Sequence, residues 1–256
     1  MNTKRIIPCL DVKNGRTVKG IHFADVTDVG DVVEMAQAYE AQDADELTLL
    51  DISATVENRS TFVDVIKRVS SAVKLPLIVG GGIRSVEDAK NVLDAGAAKI
   101  SVNSAAVSNP ALIDALATAF GSEKLIVAID VATNAALPFG WEVRTSGGTA
   151  STGKEALSWA LEVQSRGAGE ILLTSMDHDG TKKGFAVELL RSFTSALSIP
   201  IIASGGAGSM EDFAQVFVRG RVDAALAASL FHYGEVTIPQ LKIFLAERGI
   251  PIRHRV

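Results

Sequence analysis

The chain has 256 residues, 47% of them hydrophobic, and a net charge of −5 at pH 7. No basic field therefore favours nucleic acid or an anionic membrane surface, and a phosphorylated ligand would need local hydrogen-bond donors. The single cysteine excludes an internal disulfide framework, and no spacing of residues is typical of a metal site. No signal-peptide pattern and no apolar run of membrane-spanning length occurs, so we expect a cytoplasmic protein.

Eight apolar runs alternate along the chain with eight helical patterns. Most of the runs are continuous and β-branched, which favours a parallel sheet covered by helices. The predicted strands are Arg5–Asp11, Glu46–Asp51, Leu77–Gly80, Lys99–Asn103, Leu125–Asp130, Glu170–Thr174, Ile201–Ser204 and Asp223–Ala228. The predicted helices lie near Val32–Gln42, Thr61–Val73, Val86–Ala95, Pro110–Phe120, Lys154–Arg166, Ala186–Ala196, Met210–Arg219 and Ile238–Arg248. This alternation predicts a single-domain (β/α)8 TIM barrel, with a doubly wound open sheet as the alternative.

One segment of the chain occurs twice. Residues 76–88, PLIVGGGIRSVED, reappear 124 residues later as residues 200–212, PIIASGGAGSMED. Each copy has the pattern of a buried strand, a glycine turn, a serine N-cap and an acidic first helical turn. Glycine lets a backbone approach an anion closely. The duplication predicts two half-barrels, approximately residues 1–121 and 122–256, and two phosphate sites that face each other.

Each predicted phosphate site combines a glycine loop with the residues that follow the next strand. The first phosphate site consists of Gly81, Gly82, Asn103 and Ser104, and the second of Gly205, Gly206, Ala228 and Ser229. A tight turn at Asp179 and Gly180 could add backbone N–H groups. Lys19 could swing over the substrate, although an exposed loop lysine is more often only solvated. A substrate that bridges both sites would carry a phosphate at each end.

Two aspartates, Asp11 and Asp130, each end a predicted strand at the rim where barrel enzymes place reactive groups. Half a barrel apart, they would point into one mouth from opposite sides and could act as general acid and general base. A strand-end aspartate more often only caps a turn, but the duplication favours catalysis. The long loops that follow, Lys13–Gly30 and Ala132–Gly153, are candidate lids. Auxiliary candidates at other strand ends are Asp51, Thr174 and Ser204.

Four charged residues begin strands at the opposite end of the predicted barrel. They are Arg5, Glu46, Lys99 and Glu170. Charges near a barrel axis are costly unless they are paired, and here two cations match two carboxylates. The pattern predicts either an ion-pair ring that closes the barrel floor or a gated polar passage through it.

Together these residues resemble the HisF family, the cyclase (synthase) subunits of imidazole glycerol phosphate synthase. The resemblance covers essentially the whole chain and rests on segments 5–12, 79–83, 127–130, 167–177 and 202–208. It implies a cofactor-free lyase of histidine biosynthesis. In that reaction ammonia adds to a bis-phosphorylated ribulosyl aminoimidazole-carboxamide ribonucleotide, and cleavage and ring closure give imidazole glycerol phosphate and an aminoimidazole-carboxamide ribonucleotide. The resemblance also implies that Asp11 and Asp130 are the acid–base pair.

The resemblance further implies a heterodimer with a glutaminase subunit, docked at the barrel floor, whose ammonia travels along the axis. The four floor charges then resemble the ammonia gate. Positions that depart from the usual family pattern are His22, Thr27, Ala98, Glu123 and Val131–Thr133. Because Ala98 replaces an acid beside the gate, we expect ammonia-dependent cyclisation to persist and coupling to the glutaminase to be weakened.

Three alternatives stay open at this point. The sister isomerase of the same pathway also uses two aspartates, but it needs no gate and no partner. A cyclase-like subunit could instead pass ammonia to a sugar. A catalytically silent barrel is the third alternative, which the intact aspartates and glycine loops argue against.

Overall fold

The computed structural model describes residues 3–13, 16–21, 24–52 and 62–254, with backbone only at 19–21 and 24–29. Its strands, in chain order, are β1 Arg5–Lys13, β2 Arg16–Ile21, β3 Ala24–Gly30, β4 Leu47–Asp51, β5 Leu77–Gly80, β6 Lys99–Val102, β7 Leu125–Thr133, β8 Trp141–Thr145, β9 Ala150–Glu155, β10 Glu170–Ser175, β11 Ile201–Ser204 and β12 Ala224–Ala227. Eight of these form a closed parallel barrel in the order β1-β4-β5-β6-β7-β10-β11-β12, because β12 pairs with β1. The predicted (β/α)8 barrel is confirmed.

Helices surround the barrel and cover its outer face. They are α1 Val32–Ala41, α2 Val63–Ala72, α3 Val86–Asp94, α4 Ser104–Ser108, α5 Ala111–Phe120, α6 Ala156–Ser165, α7 Val187–Ala196, α8 Met210–Gln215, α9 Ser229–His232 and α10 Ile238–Glu247. The large core lies between helices and strands, and a smaller cluster, which includes Ile7, Ile126 and Ile202, fills the barrel interior. Strand residues therefore bury both faces, as their continuous apolar runs predicted. No helix in the described ranges is long and apolar enough to cross a membrane.

The two long stretches predicted as loops contain antiparallel hairpins, which the sequence analysis missed. Strands β2 and β3 follow β1, and β8 and β9 follow β7. Asp11 and Asp130 therefore do not end their strands: β1 continues to Lys13 and β7 to Thr133, because each leaves the barrel to pair with its hairpin. The prediction that a helix begins at Lys154 was also wrong, since β9 continues to Glu155.

A buried carboxylate holds the second hairpin, β8–β9, together. Glu142 accepts hydrogen bonds from the Ser151 hydroxyl, from the backbone N–H of Gly153 at 2.8 Å and of Thr152 at 3.0 Å, and from Asn134 Nδ2 at 3.0 Å. These donors favour the ionised form and lower the pKa of Glu142 to about 2, the hydroxyl of Ser151 contributing most. The hairpin thus has a fixed polar anchor at its outer end.

Backbone conformation repeats at the 124-residue spacing. The N-caps Ser85 and Ser209 have φ/ψ angles of −145/166° and −152/164°, and each accepts a hydrogen bond from the N–H three residues on. Asp31 and Glu155, at −73/134° and −70/128°, cap α1 and α6 in the same way. These matched caps support the proposed half-barrels of residues 1–121 and 122–256.

Candidate active site

The two aspartates lie on opposite strands of the barrel, at its C-terminal end. Strands β1 and β7 are separated by three strands in either direction around the ring. Both side chains are buried, Asp11 with 3% and Asp130 with 8% of its surface exposed. The Cys9 thiol lies 3.8 Å from Asp11 Oδ1, at weak hydrogen-bond distance. The arrangement brings two carboxylates to one mouth from opposite walls.

The surroundings of Asp130 favour its protonated form. Burial raises its pKa to about 6, and the nearby carboxylate of Asp179 adds to the rise. Asn103 Nδ2 donates to Asp130 Oδ2 at 2.9 Å, and the Thr174 hydroxyl also bonds to this carboxylate; both contacts limit the shift. Asp130 can therefore exchange a proton near neutral pH, as a general acid or base must.

The glycine loops have backbone conformations that other residues avoid. Gly81 has a φ of +95°, and an added Cβ would lie 2.4 Å from the carbonyl oxygen of Asp51. Gly206 has a φ of +105°, and its Cβ would lie 2.1 Å from the carbonyl oxygen of Gly184. Both loops are closed by backbone from the neighbouring unit, so glycine is required there by geometry.

The residues predicted for the second phosphate site lie together around a small cavity of about 40 Å³. Its lining includes Ser204, Gly205, Gly206, Ala228, Ser229, Asp179, Gly180 and Lys182. No described residue accepts a hydrogen bond from the N–H of Gly205 or Gly206. The N–H groups of Asp179 and Thr181 close their own turn, so of this turn only Gly180 keeps a donor for a ligand. Lys182, which the sequence analysis missed, also lines the cavity, and its ammonium group pairs with the carboxylate of Glu235.

The first phosphate site is connected to Asp130 and to the second hairpin. Asn103 bonds to Asp130, and Ser104 Oγ accepts a hydrogen bond from the N–H of Ser146 at 3.0 Å. Asn103 has φ/ψ angles of −131/−94°, close to the −120/−79° of its repeat partner Ala228. The two sites therefore share a backbone frame and differ in the side chains around it.

The four floor charges form a closed ring. Lys99 Nζ lies 3.0 Å from a carboxylate oxygen of both Glu46 and Glu170. Arg5 contacts the other oxygen of each carboxylate, at 2.7 Å for Glu46. Arg5 and both glutamates are buried, so the ring pairs two buried carboxylates with two cations. Its net charge is zero, which reduces the cost of burial. Its role as a gate stays a prediction.

The remaining predicted residues lie in several environments. Asp51 is buried at the end of β4, Thr174 is buried one residue before the end of β10, and Ser204 is partly buried. The backbone of Lys19 pairs with Thr27 in the first hairpin. His22 lies outside the described residues, as do the side chains of Lys19 and Thr27.

Two departures from the family pattern have a structural account. Thr133 donates through its N–H and its hydroxyl to Asp177 Oδ2, at 2.8 and 2.6 Å, and so ties β7 to the loop after β10. Ala98 and Glu123 are exposed at the floor. In the repeat, Asp223 occupies the position of Ala98 and accepts a hydrogen bond from the N–H of Ile201 at 3.1 Å. An acidic side chain at this position can therefore form a hydrogen bond within the barrel, without any partner protein.

Within the described part of the chain, no group of three histidine, cysteine, aspartate or glutamate residues could hold a metal ion. The described residues offer two buried carboxylates that can exchange protons with a ligand, and two flanking glycine loops with backbone N–H donors.

Comparison with known proteins identifies the family. A family model described as "Histidine biosynthesis protein" matches residues 5–237. The chain is 54% identical over 253 residues to the imidazole glycerol phosphate synthase subunit HisF of Cytophaga hutchinsonii, and equally to that of Flavobacterium psychrophilum. Each alignment covers 99% of this chain and all of the relative. The chain therefore belongs to the HisF family of histidine biosynthesis proteins, as the resemblance implied.

Proposed function

We propose that this chain is the ammonia-dependent cyclase of imidazole glycerol phosphate synthase and that Asp11 and Asp130 carry out its acid–base chemistry. As a HisF-family member it is the cyclase subunit of a histidine biosynthetic enzyme. The observation that carries the mechanistic part is the pair of buried carboxylates on opposite barrel strands, between two glycine loops. A bis-phosphorylated substrate that spans these loops would lie across both carboxylates.

The two aspartates would divide the proton transfers. Asp130, with a pKa of about 6, holds a proton in part of the molecules at neutral pH and can donate it to a leaving or carbonyl oxygen. Asp11 faces the other side of the substrate, where it can accept a proton from the attacking nitrogen. The Asn103 and Thr174 contacts fix Asp130 in position. Burial excludes water and strengthens these interactions.

The phosphate groups would be held mainly by backbone N–H groups. Gly205 and Gly206 offer donors at the second phosphate site, where Lys182, now paired with Glu235, could turn its ammonium towards the phosphate. Gly82 and Ser104 offer their N–H groups at the first phosphate site, since neither N–H donates to another described residue. Two anchored ends would align the reacting centre with both aspartates, which reduces the entropic part of the barrier.

The test is turnover of the bis-phosphorylated ribulosyl substrate with ammonium salt, without any partner, for the parent, Asp11→Asn and Asp130→Asn. We expect activity in the parent and a loss of about 100-fold or more in each variant, because general acid–base catalysis typically contributes that much. Asp94→Asn, at an exposed carboxylate, is the matched control. A parent that shows no turnover at any ammonia concentration would refute the cyclase assignment and favour the isomerase or sugar-amidating alternatives.

The HisF name of the relatives describes a subunit of a larger enzyme. We extend the proposal to a glutaminase partner at the barrel floor, for which the ring of Arg5, Glu46, Lys99 and Glu170 would be the ammonia gate. The ring lies on the barrel axis and alternates in charge, so displacing one cation would open a polar passage.

Ala98 lies beside Lys99 of this ring and provides the test of the partner proposal. With a glutaminase subunit from either relative, Ala98→Asp should raise glutamine-dependent turnover and leave ammonium-dependent turnover unchanged. The urea unfolding midpoint is measured alongside, because the hydrogen bond of Asp223 shows that an acid at this position can change the stability of the barrel without a partner. An unchanged ratio of the two activities would contradict the coupling role of this position.

A further inference from the structure

The second hairpin places an arginine at the barrel mouth that none of the roles above uses. In the β7–β8 pairing, Arg144 lies directly opposite Asp130. Residues directly opposite each other in an antiparallel pair point to the same face, with Cβ atoms about 5 Å apart. Because Asp130 points into the barrel, towards Asn103 and Thr174, the side chain of Arg144 is directed to the mouth as well.

The same hairpin rests on the first phosphate site. Arg144 Nε donates to the carbonyl oxygen of Gly148 at 3.3 Å, and the N–H of Ser146, in the same turn, donates to Ser104 Oγ at 3.0 Å. The guanidinium group is thus one turn away from the serine that completes the first phosphate site. About a quarter of the Arg144 side chain is exposed, so a ligand in the mouth can reach it.

Several contacts other than those of Arg144 hold the hairpin closed. Glu142 already has four donors at 3.0 Å or less, whereas Arg144 Nη1 lies 3.7 Å from it. The turn is closed by the Thr149 hydroxyl, which donates to the carbonyl oxygen of Ser146 at 2.7 Å. Nη2 of Arg144 donates no hydrogen bond to a described residue, and a guanidinium presents its donors in a fork that matches phosphate oxygens.

The acidic residues around the barrel mouth make a compensating positive charge useful for binding a phosphate. Asp11, Asp51, Asp130 and Asp179 are acidic, and a phosphate brought among them would be repelled. The second phosphate site has Lys182 in its lining. The residues assigned to the first phosphate site include no cation.

We propose that Arg144 is a substrate-binding residue that supplies the positive charge for the anionic group held at the first phosphate site. The inference rests on the proposed function, because it takes the ligand to be a phosphate of the cyclase substrate. The two phosphate sites then differ in their cations: the second has Lys182, from a loop, in its lining, and the first has Arg144, from a hairpin.

The experiment measures binding of the bis-phosphorylated substrate by calorimetry without ammonia, so that no turnover occurs. Arg144→Gln should raise the Kd about 10- to 100-fold, the range expected for a lost charge-assisted hydrogen bond. Arg84→Gln removes an equal charge from an exposed position next to the first glycine loop and should change the Kd less than twofold. Thr149→Ala loosens the turn without changing its charge and should also leave the Kd nearly unchanged.

Binding of the two products, which carry one phosphate each, shows at which phosphate site a variant weakens binding. Arg144→Gln should weaken the binding of one product and spare the other, and Lys182→Gln should show the reverse pattern. Equal weakening of both products by Arg144→Gln, or a Thr149→Ala variant with the same defect, would overturn the proposal, because either result indicates a structural role. If the parent binds the substrate and Arg144→Gln binds it equally well, Arg144 has no such role while the cyclase proposal stands. A parent that binds no substrate refutes both.

Discussion

Because Asp130, one of the two proposed catalytic carboxylates, is buried, its ionised form should destabilise the fold, and Asp130→Asn should remove this cost. The folded-state pKa is raised from 3.8 to about 6, so the folded protein prefers the neutral acid. A carboxyl group whose pKa is raised on folding stabilises the folded state fully below its unfolded-state pKa. This stabilisation is lost as the pH rises through the folded-state pKa. Asparagine is neutral throughout and can still accept the hydrogen bond from Asn103. We therefore expect the variant to be more stable than the parent at neutral pH.

The magnitude follows from the size of the shift. A rise from 3.8 to about 6 corresponds to about 3 kcal/mol at pH values above both numbers. At pH 5 the group is only partly ionised in the folded state, and the same relation gives about 1.5 kcal/mol. No allowance for solvent screening is needed, because only 8% of Asp130 is exposed.

Urea unfolding at pH 5, 6, 7 and 8 tests this reasoning. The stability difference between Asp130→Asn and the parent should grow from about 1.5 to about 3 kcal/mol across the series. Asp94→Asn, at an exposed carboxylate, should stay within about 0.5 kcal/mol of the parent at every pH. A difference that does not change with pH, or a variant less stable than the parent at pH 7, would refute the argument that burial controls this group.

Three further predictions concern the ring, the second glycine loop and the hairpin anchor. Arg5→Met leaves Glu46 and Glu170 sharing one cation, so it should lower the free energy of unfolding, measured in urea, by about 3–5 kcal/mol. The control Lys90→Met, at an exposed ion pair, should lower it by less than about 1 kcal/mol. Equal losses in the two variants would count against a stabilising role of the ring. Gly206→Ala should reduce thermal stability far more than Gly234→Ala. Both glycines have a positive φ, but an added Cβ at Gly206 would clash with the Gly184 carbonyl oxygen, whereas one at Gly234 would meet no atom within 4 Å. Similar Tm values for the two variants would contradict this clash. Glu142, with its pKa lowered to about 2, stabilises the fold above its unfolded value of 4.5 and loses this effect as the pH falls towards 2. The urea midpoint of Glu142→Gln should therefore approach that of the parent between pH 5 and pH 3, and a constant gap would contradict this.

The barrel could be predicted from sequence because its elements carry strong local signals. The continuous apolar runs at Leu77–Gly80 and Ile201–Ser204 have the observed strand bounds, since a proline precedes each and a glycine turn follows it. Ser85 and Ser209 marked helix starts, because serine followed by an acid three residues on satisfies the first free N–H groups. Both glycine loops could be grouped by the repeat, and the four ring residues by their place at the beginnings of predicted strands.

The hairpins could not be predicted in the same way. Within residues 132–153, apolar and polar residues alternate only over the short segment Trp141–Thr145, and β8 and β9 are held by the buried Glu142 carboxylate, which no local pattern reveals. The contact between Ser104 and Ser146 spans 42 residues, and the position of Arg144 opposite Asp130 depends on the hairpin register. Side chains placed by such pairings become visible only in three dimensions.

The ring at the barrel floor also fixes an order of events during synthesis of the chain. Arg5 leaves the ribosome first, whereas Glu170 belongs to a strand made much later, and the seam beside Arg5 closes only when β12 arrives with Ala224. Until Glu170 is made, Arg5 has only one of its two carboxylate partners, Glu46. A complete ring therefore cannot exist in a partly made chain, and the proposed glutaminase partner would meet it only on a finished barrel.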